Sequence, residues 1–367
     1  MKTSTMAVIR DVDVDHASGL AFDEAMALSL GTTDEFQAML RLYNYANHCI
    51  LVGRFQRLEA EVDLNIAREK GAGVNRRPTG GGAILMGEDQ LGVAFSVPSL
   101  QFASPRLALV EFAGAICGAL AKLGIQASLR GKNDIEVRGK KIAGLGLFQS
   151  AGGLLLHASL LSSLDVELML SFLRIPATKL GAHGVSTIAE RVTTLEKELG
   201  RPIQRTTLER ALVQAFETTF ELDAKDVQAP RALTEQAEEL RKTKYTQQEW
   251  LFDGGRATSA EFVADCRSGA GTLTLVVANQ GDVIKSALVT GDFLETPPEL
   301  IQLEELLRWS VIDETVLEQR IAKNAAVAAL VDPGDLAVAI CGSYRNNGQI
   351  SEPRRIGSCY IAEERVS

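Results

Sequence analysis

Asn133–Leu160 reads NDIEVRGKKIAGLGLFQSAGGLLLHASL, and the fold is decided there. Its three apolar runs, NDIEV, KIAGLGLF and LLLHASL, are parted by turns at Arg138-Gly139-Lys140 and Ala151-Gly152-Gly153. Runs of this kind joined by short glycine-bearing turns pack as adjacent antiparallel strands. Upstream, GAILM (Gly82–Met86) and LGVAFSV (Leu91–Val97) flank the turn GEDQ and read as another hairpin, and CILVG (Cys49–Gly53) reads as a buried strand. Helical patterns lie around these strands. In Thr206–Glu221, Thr206 and Glu209 fit a capping box, while Leu208, Leu212, Ala215 and Phe216 share one face. Leu107–Leu123 is similar. The pattern predicts an α+β domain whose antiparallel or mixed sheets are flanked by helices.

At 367 residues the chain exceeds what one core usually fills, so two domains are expected. The first spans residues 1–225. Residues 226–243, as in APRALTEQAEELRKTK, turn charged and read as a helical linker. A small α/β unit follows over 244–343. Its strand patterns TLTLVVA (Thr272–Ala278) and VIKSALVTG (Val283–Gly291) are split by a turn at Asn279–Asp282, and helical stretches lie near Glu299–Arg308 and Glu314–Leu330. Residues 344–367 read as a polar tail. A charged link predicts a small unit that moves as a lid or docking arm.

Composition narrows the function classes. The content is 46% hydrophobic and 23% charged, ordinary for a globular protein, and the formal charge of −9 disfavours a phosphate-backbone partner. The most apolar long stretch, Leu107–Leu120, carries Glu111 and is too short to span a bilayer. The N-terminus does not match a secretory signal, so a cytoplasmic protein is expected. Cys49, Cys117, Cys266, Cys341 and Cys359 are scattered without a CxxC pair, which suits a reducing compartment.

The chemistry gathers in two stretches. RRPTGGGAI (Arg76–Ile84) sets two arginines before three glycines at a strand entrance. Such glycines let backbone N–H groups approach an anion, and arginine adds a planar fork for phosphate or carboxylate. The GKS/T ending of a Walker A loop is missing. GKNDIEVRGKKIAG holds Asn133 and Asp134 at one strand start and Lys141 at the next. Across a hairpin these can converge, with Asp134 able to face Mg²⁺ and Lys141 to face a phosphate or oxyanion. Read alone, Asp134 could instead begin a strand in an Asx turn, and His157 among leucines could equally be a core imidazole. Lys140 reads as the solvated turn residue.

These motifs resemble the lipoate–protein ligase A family of the biotin/lipoyl ligase superfamily. The family pattern RRxSGGGAV, GRND, G(R/K)KISG and HHGTLL stands here as RRPTGGGAI, GKND, GKKIAG and LHASLL. LVGRFQ (Leu51–Gln56) with EVDLNIAREKG, and GVSTIAERVTTL (Gly184–Leu195), are similar to two further family segments. KYTQQEWLF (Lys244–Phe252) and GDVIKSALVTGDF (Gly281–Phe293) resemble the C-terminal accessory domain of larger members. The colinear matches cover residues 10–330.

The resemblance implies a biotin/lipoyl ligase-like catalytic domain with a small accessory domain, and an adenylate-forming reaction. Lipoate, or octanoate, and Mg²⁺–ATP would give an enzyme-bound acyl-AMP, and a lysine of an apo lipoyl-domain or H-protein-like acceptor would attack it. Carried over by motif, Lys141 is the catalytic charge and Arg77 clamps the adenylate phosphate. Thr79, Gly80, Gly81, Gly82 and Ala83 form the cradle. Asn133 and Asp134 position phosphate and metal, and His157 and Ser159 line the adenylate site. Arg191-Val192-Thr193 closes over the site or packs beside it.

There are departures from the pattern. Met86-Gly87 replaces the family's His-Asp, and Ala158-Ser159 replaces Gly-Thr. Transferases of one related branch carry a Cys-Gly pair where this chain has His183-Gly184, and no cysteine lies between Cys117 and Cys266. A thioester-forming octanoyl/lipoyl transferase and a non-catalytic lipoate-binding protein are the rival readings.

Overall fold

A computed structural model of the chain describes residues 4–30, 36–98, 101–150, 152–174, 189–253, 262–269, 271–291, 293 and 297–346. Strand β1 (Thr5–Arg10) leads to α1 (His16–Ser29), β2 (Ala38–Tyr43) and β3 (Cys49–Val52). Short helices α2 (Leu58–Glu61) and α3 (Leu64–Glu69) precede β4 (Gly73–Arg76), β5 (Ile84–Met86), β6 (Gln90–Pro98) and the long α4 (Pro105–Lys122). A meander follows: β7 (Ser128–Arg130), β8 (Asp134–Val137), β9 (Lys140–Gln149) and β10 (Gly153–Leu161). Then come α5 (Val166–Phe172), α6 (Leu195–Leu199), α7 (Arg205–Phe220), β11 (Asp223–Asp226), α8 (Arg231–Leu240) and α9 (Gln248–Asp253).

The larger sheet runs β11-β1-β2-β6-β10-β9-β8-β7. Its first two pairings are parallel and the rest antiparallel. The hairpins expected around Arg138-Gly139-Lys140 and Ala151-Gly152-Gly153 are present, with Gly139 at φ +77°. One face is buried by α4 and α7, where Phe95 stacks on Phe112 and meets Phe216 and Phe220 edge-on or tilted. The other face carries α1 and a smaller sheet, β4-β3-β5. Asp15 caps α1 through Ala17 N and Ser18 N, and Ser104 caps α4 ahead of Pro105.

Four expectations need correction. GAILM and LGVAFSV do not pair: β5 joins β3, whereas β6 lies between β2 and β10 in the other sheet. The chain crosses between layers at the turn that was expected to fold it back. The capping box does not form, because α7 is capped at Gln204, two residues before Thr206, and Glu209 turns to Arg205 (2.6 Å) and Arg10 (3.2 Å). Nor is 226–243 a free linker. Leu233, Ala237 and Leu240 form an i, i+4, i+7 stripe inside the charged composition, and α8 packs it on Phe22, Ala25 and Met26 of α1.

The fourth correction concerns Lys244–Phe252, which docks on the first unit. A π turn (Arg241–Tyr245) brings Lys244 Nζ to Glu24 at 2.7 Å and buries Tyr245. Arg76 then donates to the C-terminal carbonyls of α9 at Trp250 (2.9 Å), Leu251 (2.9 Å) and Phe252 (3.1 Å), and to Gly53, Arg54 and Gln56. A helix end leaves those carbonyls without intrahelical partners, and a buried guanidinium needs that many acceptors. Arg76 is therefore a clasp.

The small unit is built on the antiparallel sheet of β12 (Phe262–Ser268), β13 (Gly271–Gln280) and β14 (Val283–Gly291). Helices α10 (Pro298–Leu307), α11 (Glu314–Ala322), α12 (Ala325–Leu330) and α13 (Pro333–Arg345) cover it around Leu275, Phe293 and Leu303. Helix α13 runs two residues past Ser343. Residues 347–367, with Cys359, lie outside the described residues. No helix of the described residues is long and apolar enough to cross a membrane.

Candidate active site

The register of the larger sheet builds the floor of a trough on the α1 side. Cross-strand partners Tyr43, Gly92, Ser159 and Gly144 form one row, and Arg41, Ala94, His157 and Gly146 the next. The missing side chains leave space that long neighbours use. A Cβ on Gly92 would meet the Tyr43 ring at 2.6 Å, one on Gly144 would meet Lys141 Nζ at 3.0 Å, and one on Gly146 would meet His157 Nε2 at 2.5 Å. Leu51, Ile84 and Met86 from the smaller sheet form the roof, and Leu20 of α1 closes the apolar end. At ~4.8 Å per strand, the three steps from Gly144 to Tyr43 span ~14 Å, enough for an extended medium-length chain. The trough is apolar at Tyr43 and charged at Lys141.

At the charged end, Lys141 is buried and its Nζ lies 2.7 Å from Asp134 Oδ1, while Lys140 is exposed. The β8–β9 hairpin makes this pairing, with a register shift beside Glu136 that brings Lys141 over the sheet. Asn133 Nδ2 donates to Leu145 O at 3.1 Å. Thr193 N donates to Lys141 O at 2.9 Å, so the Arg191-Val192-Thr193 segment packs beside this strand. His183-Gly184 lies outside the described residues.

The glycine loop closes the same end. Gly81 has φ +92°, and its Cα faces Arg77 Nη2 and Asn133 Nδ2. Gly53 lies so close that a Cβ there would overlap Gly81 O. Arg77, expected as a phosphate fork, is 4% exposed and directs its donors at the loop itself. Nη1 reaches Leu51 O (2.8 Å), Nη2 reaches Gly80 O (2.8 Å) and Gly82 O (2.7 Å), and Nε reaches Thr79 Oγ1 (3.2 Å). Arg77 thus shapes the cradle. Thr79 Oγ1 also hydrogen-bonds His157 Nε2 at 2.7 Å, tying the loop to β10. Burial, and secondly the nearby Arg77 charge, pull the His157 imidazole down to about 3, so it is neutral near pH 7. Ala83 is buried under the roof, and Ser159 Oγ donates to Met86 Sδ at 2.8 Å. The small unit reaches the loop as well, with Phe293 O accepting from Gly81 N at 2.6 Å.

Of the residues singled out by motif, Arg77, Asn133, Lys141, His157 and Ser159 line one cleft, Thr79, Gly80, Gly82 and Asp134 contact them through hydrogen bonds or an ion pair, and Ala83 packs in the core beneath the smaller sheet. Sequence reasoning missed the support behind the cleft. Arg41, 1% exposed, donates to Asp23 (2.8 Å), Asp11 (2.7 Å) and Gly19 O, and Tyr43 OH donates to Asp23 at 2.7 Å. Burial pushes the Asp23 carboxyl up while Arg41 pulls it back. The acidic pair inside the apolar LAFDEAMA stretch of α1 was the available signal.

Chemically, a buried cation, a carboxylate and a backbone loop at one end of an apolar trough suit an acid carried head-first to a phosphate. A family model described as the lipoyl protein ligase A/B catalytic domain matches residues 15–217. The octanoyltransferase LipM of Symbiobacterium thermophilum is 27% identical over 269 residues, 66% of this chain and 97% of its own length. The lipoate-protein ligase LplJ of Bacillus subtilis is 24% identical over 269 residues, 73% of this chain and 80% of its own. Among solved structures, a lipoate-protein ligase A bound with ATP has a TM-score of 0.59 at 25% identity, over 68% of this chain and 98% of that one. The chain belongs to the lipoyl protein ligase A/B catalytic domain family.

Proposed function

We propose that the chain is an ATP-dependent ligase that joins lipoate, or octanoate, to AMP and transfers the acyl group to a lysine of a lipoyl-domain or H-protein-like acceptor. The observation that carries this is Lys141, a buried cation at the head of an apolar trough and beside the glycine loop. In the first step a carboxylate oxygen attacks the α-phosphorus of ATP and pyrophosphate leaves. In the second the acceptor amine attacks the acyl carbonyl, AMP leaves with the bridging oxygen, and the amine proton passes to solvent. Lys141 sits where it can face the charge that develops in both. His157, neutral and tied to Thr79, orients the loop and is too weak a base to take the ammonium proton.

Asp134 is the carboxylate that would face Mg²⁺, and one carboxylate plus substrate phosphates is how that ion is commonly held. The ion would offset phosphate charge during adenylation. The trough keeps water from the anhydride. We propose that the protein works in the cytoplasm.

A carrier-dependent octanoyltransferase is the second reading, favoured by the names of several relatives, the octanoyltransferase LipM of Symbiobacterium thermophilum among them. That chemistry needs a thiolate in the cleft. Among the described residues Cys49 and Cys341 are buried, Cys117 and Cys266 are partly so, and none lines the trough. Burial pushes all four thiols up, Cys117 and Cys266 to about 11. The test is mass spectrometry of an apo lipoyl domain incubated with the enzyme and either ATP plus free acid or an octanoyl carrier. A mass gain with ATP, unchanged by prior alkylation of the enzyme's thiols, is expected. A gain from the octanoyl carrier alone, lost on alkylation, would establish the transferase instead.

A further inference from the structure

Met86 stands where the family pattern has a histidine, and its side chain crosses the trough. It descends from β5 in the roof, while Ser159 rises from β10 in the floor, and the two join through the 2.8 Å hydrogen bond to Sδ. Both are buried, Met86 at 3% and Ser159 at 7% exposure. Ser159 lies in the row between Gly144, which Lys141 covers, and Gly92, which the Tyr43 ring covers. Roof and floor therefore touch between the charged end and the apolar end. An acid with its carboxylate at Lys141 and its tail at Leu20 and Tyr43 has to pass this point with its middle carbons.

A methionine can yield there. It is unbranched with three rotatable bonds, and a thioether is a weak acceptor, so the Ser159 bond is cheap to break. The space freed by swinging Sδ and Cε aside is that of a slim chain. The geometry points to Met86 and Ser159 as a yielding constriction that determines specificity, admitting acids unbranched at their middle carbons and excluding those branched there. This rests on the reading of the trough as an acyl site. Lipoate and octanoate share the straight middle segment, so both pass. The branch at mid-chain is what the constriction detects.

The test is direct binding of octanoate and 4-methyloctanoate by calorimetry to the full-length protein, without ATP. The wild type should bind the branched acid about tenfold more weakly, the scale at which an apolar pocket senses one methyl group. In Met86→Ala, which removes Cγ, Sδ and Cε, the two acids should bind within about threefold of each other. Ser159→Val introduces a β-branched residue, which a strand favours, and fills the floor beneath Met86. It should weaken octanoate itself about tenfold. An unchanged ratio in folded Met86→Ala would overturn the inference. So would equal binding of both acids by the wild type, no binding of either, or, should Met86→Ala fail to fold, unaltered octanoate binding in Ser159→Val. A ratio that shifts as expected in a protein inactive with ATP would leave this inference standing and remove the proposed ligase activity.

Discussion

Two neighbouring lysines on one strand have opposite fates, because the register shift between β8 and β9 turns Lys141 over Gly144 and leaves Lys140 in solvent. Lys141→Ala should lower acyl-dependent ATP–pyrophosphate exchange by about 10²–10³, the usual effect of deleting a charge aimed at the reacting group. Its partner Asp134 is half-buried with the paired oxygen shielded from solvent, so unfolding should shift by about 1–3 kcal/mol. Lys140→Ala should leave exchange unchanged. Equal losses in the two variants would move the reacting centre away from Lys141. Arg77 shows the limit of reading residues by type. An arginine before three glycines suggests a phosphate fork, yet its donors hold three loop atoms and Leu51 O of β3, which is visible only once the loop is folded.

Between elements, the loop after β4 and the end of β3 are in backbone contact. Gly53→Ala would drive a methyl into Gly81 O, and neither segment is a flexible side chain that can step aside. A loss on the order of 2–4 kcal/mol is expected in urea unfolding. Gly114→Ala is the contrast: the site is exposed within α4, nothing lies within 4 Å of a new Cβ, and a gain of about 0.5–1 kcal/mol is expected. If Gly53→Ala unfolded like the wild type, the tight β3–loop contact would be wrong. The misread hairpin belongs to this scale as well. Alternation and a four-residue turn describe β5 and β6 individually, and only the competing partners β3 and β10 decide where each strand pairs.

For the whole molecule the question is where the first unit stops. Truncation after Thr243 would remove Tyr245 and Trp250 from its core and strip Arg76 of its α9 acceptors. A buried guanidinium left short of partners costs about 3–5 kcal/mol. Truncation after Asp253 keeps the clasp. Calorimetry should find the shorter fragment markedly less stable, or unfolded, and the longer one close to the intact unit. Similar melting of both would discredit the clasp. The small unit, lost in either fragment, caps Gly81 N with Phe293 O and takes Gly291 N to Phe55 O at 2.6 Å. A phosphate that uses the Gly81 amide therefore requires this unit to withdraw.

By itself, the sequence determined the reaction end of the cleft and the meander that carries it. Both are local: GKND, the turn at Gly139 and GKKIAG lie within a few residues of one another, but the register shift beside Glu136 decides which lysine points inward, since plain alternation from Gly144 would turn Lys140 to the trough. The three glycines were legible for the same reason. What the tertiary structure alone decided is everything set by distant partners. Charged composition hid the α8 stripe until α1 was there to receive it. Arg76 became a clasp because residues 250–252, far along the chain, present a helix end to it. The buried Arg41–Asp23–Tyr43 group and the Met86–Ser159 contact join residues 18 to 73 positions apart, a separation across which local spacing holds no information.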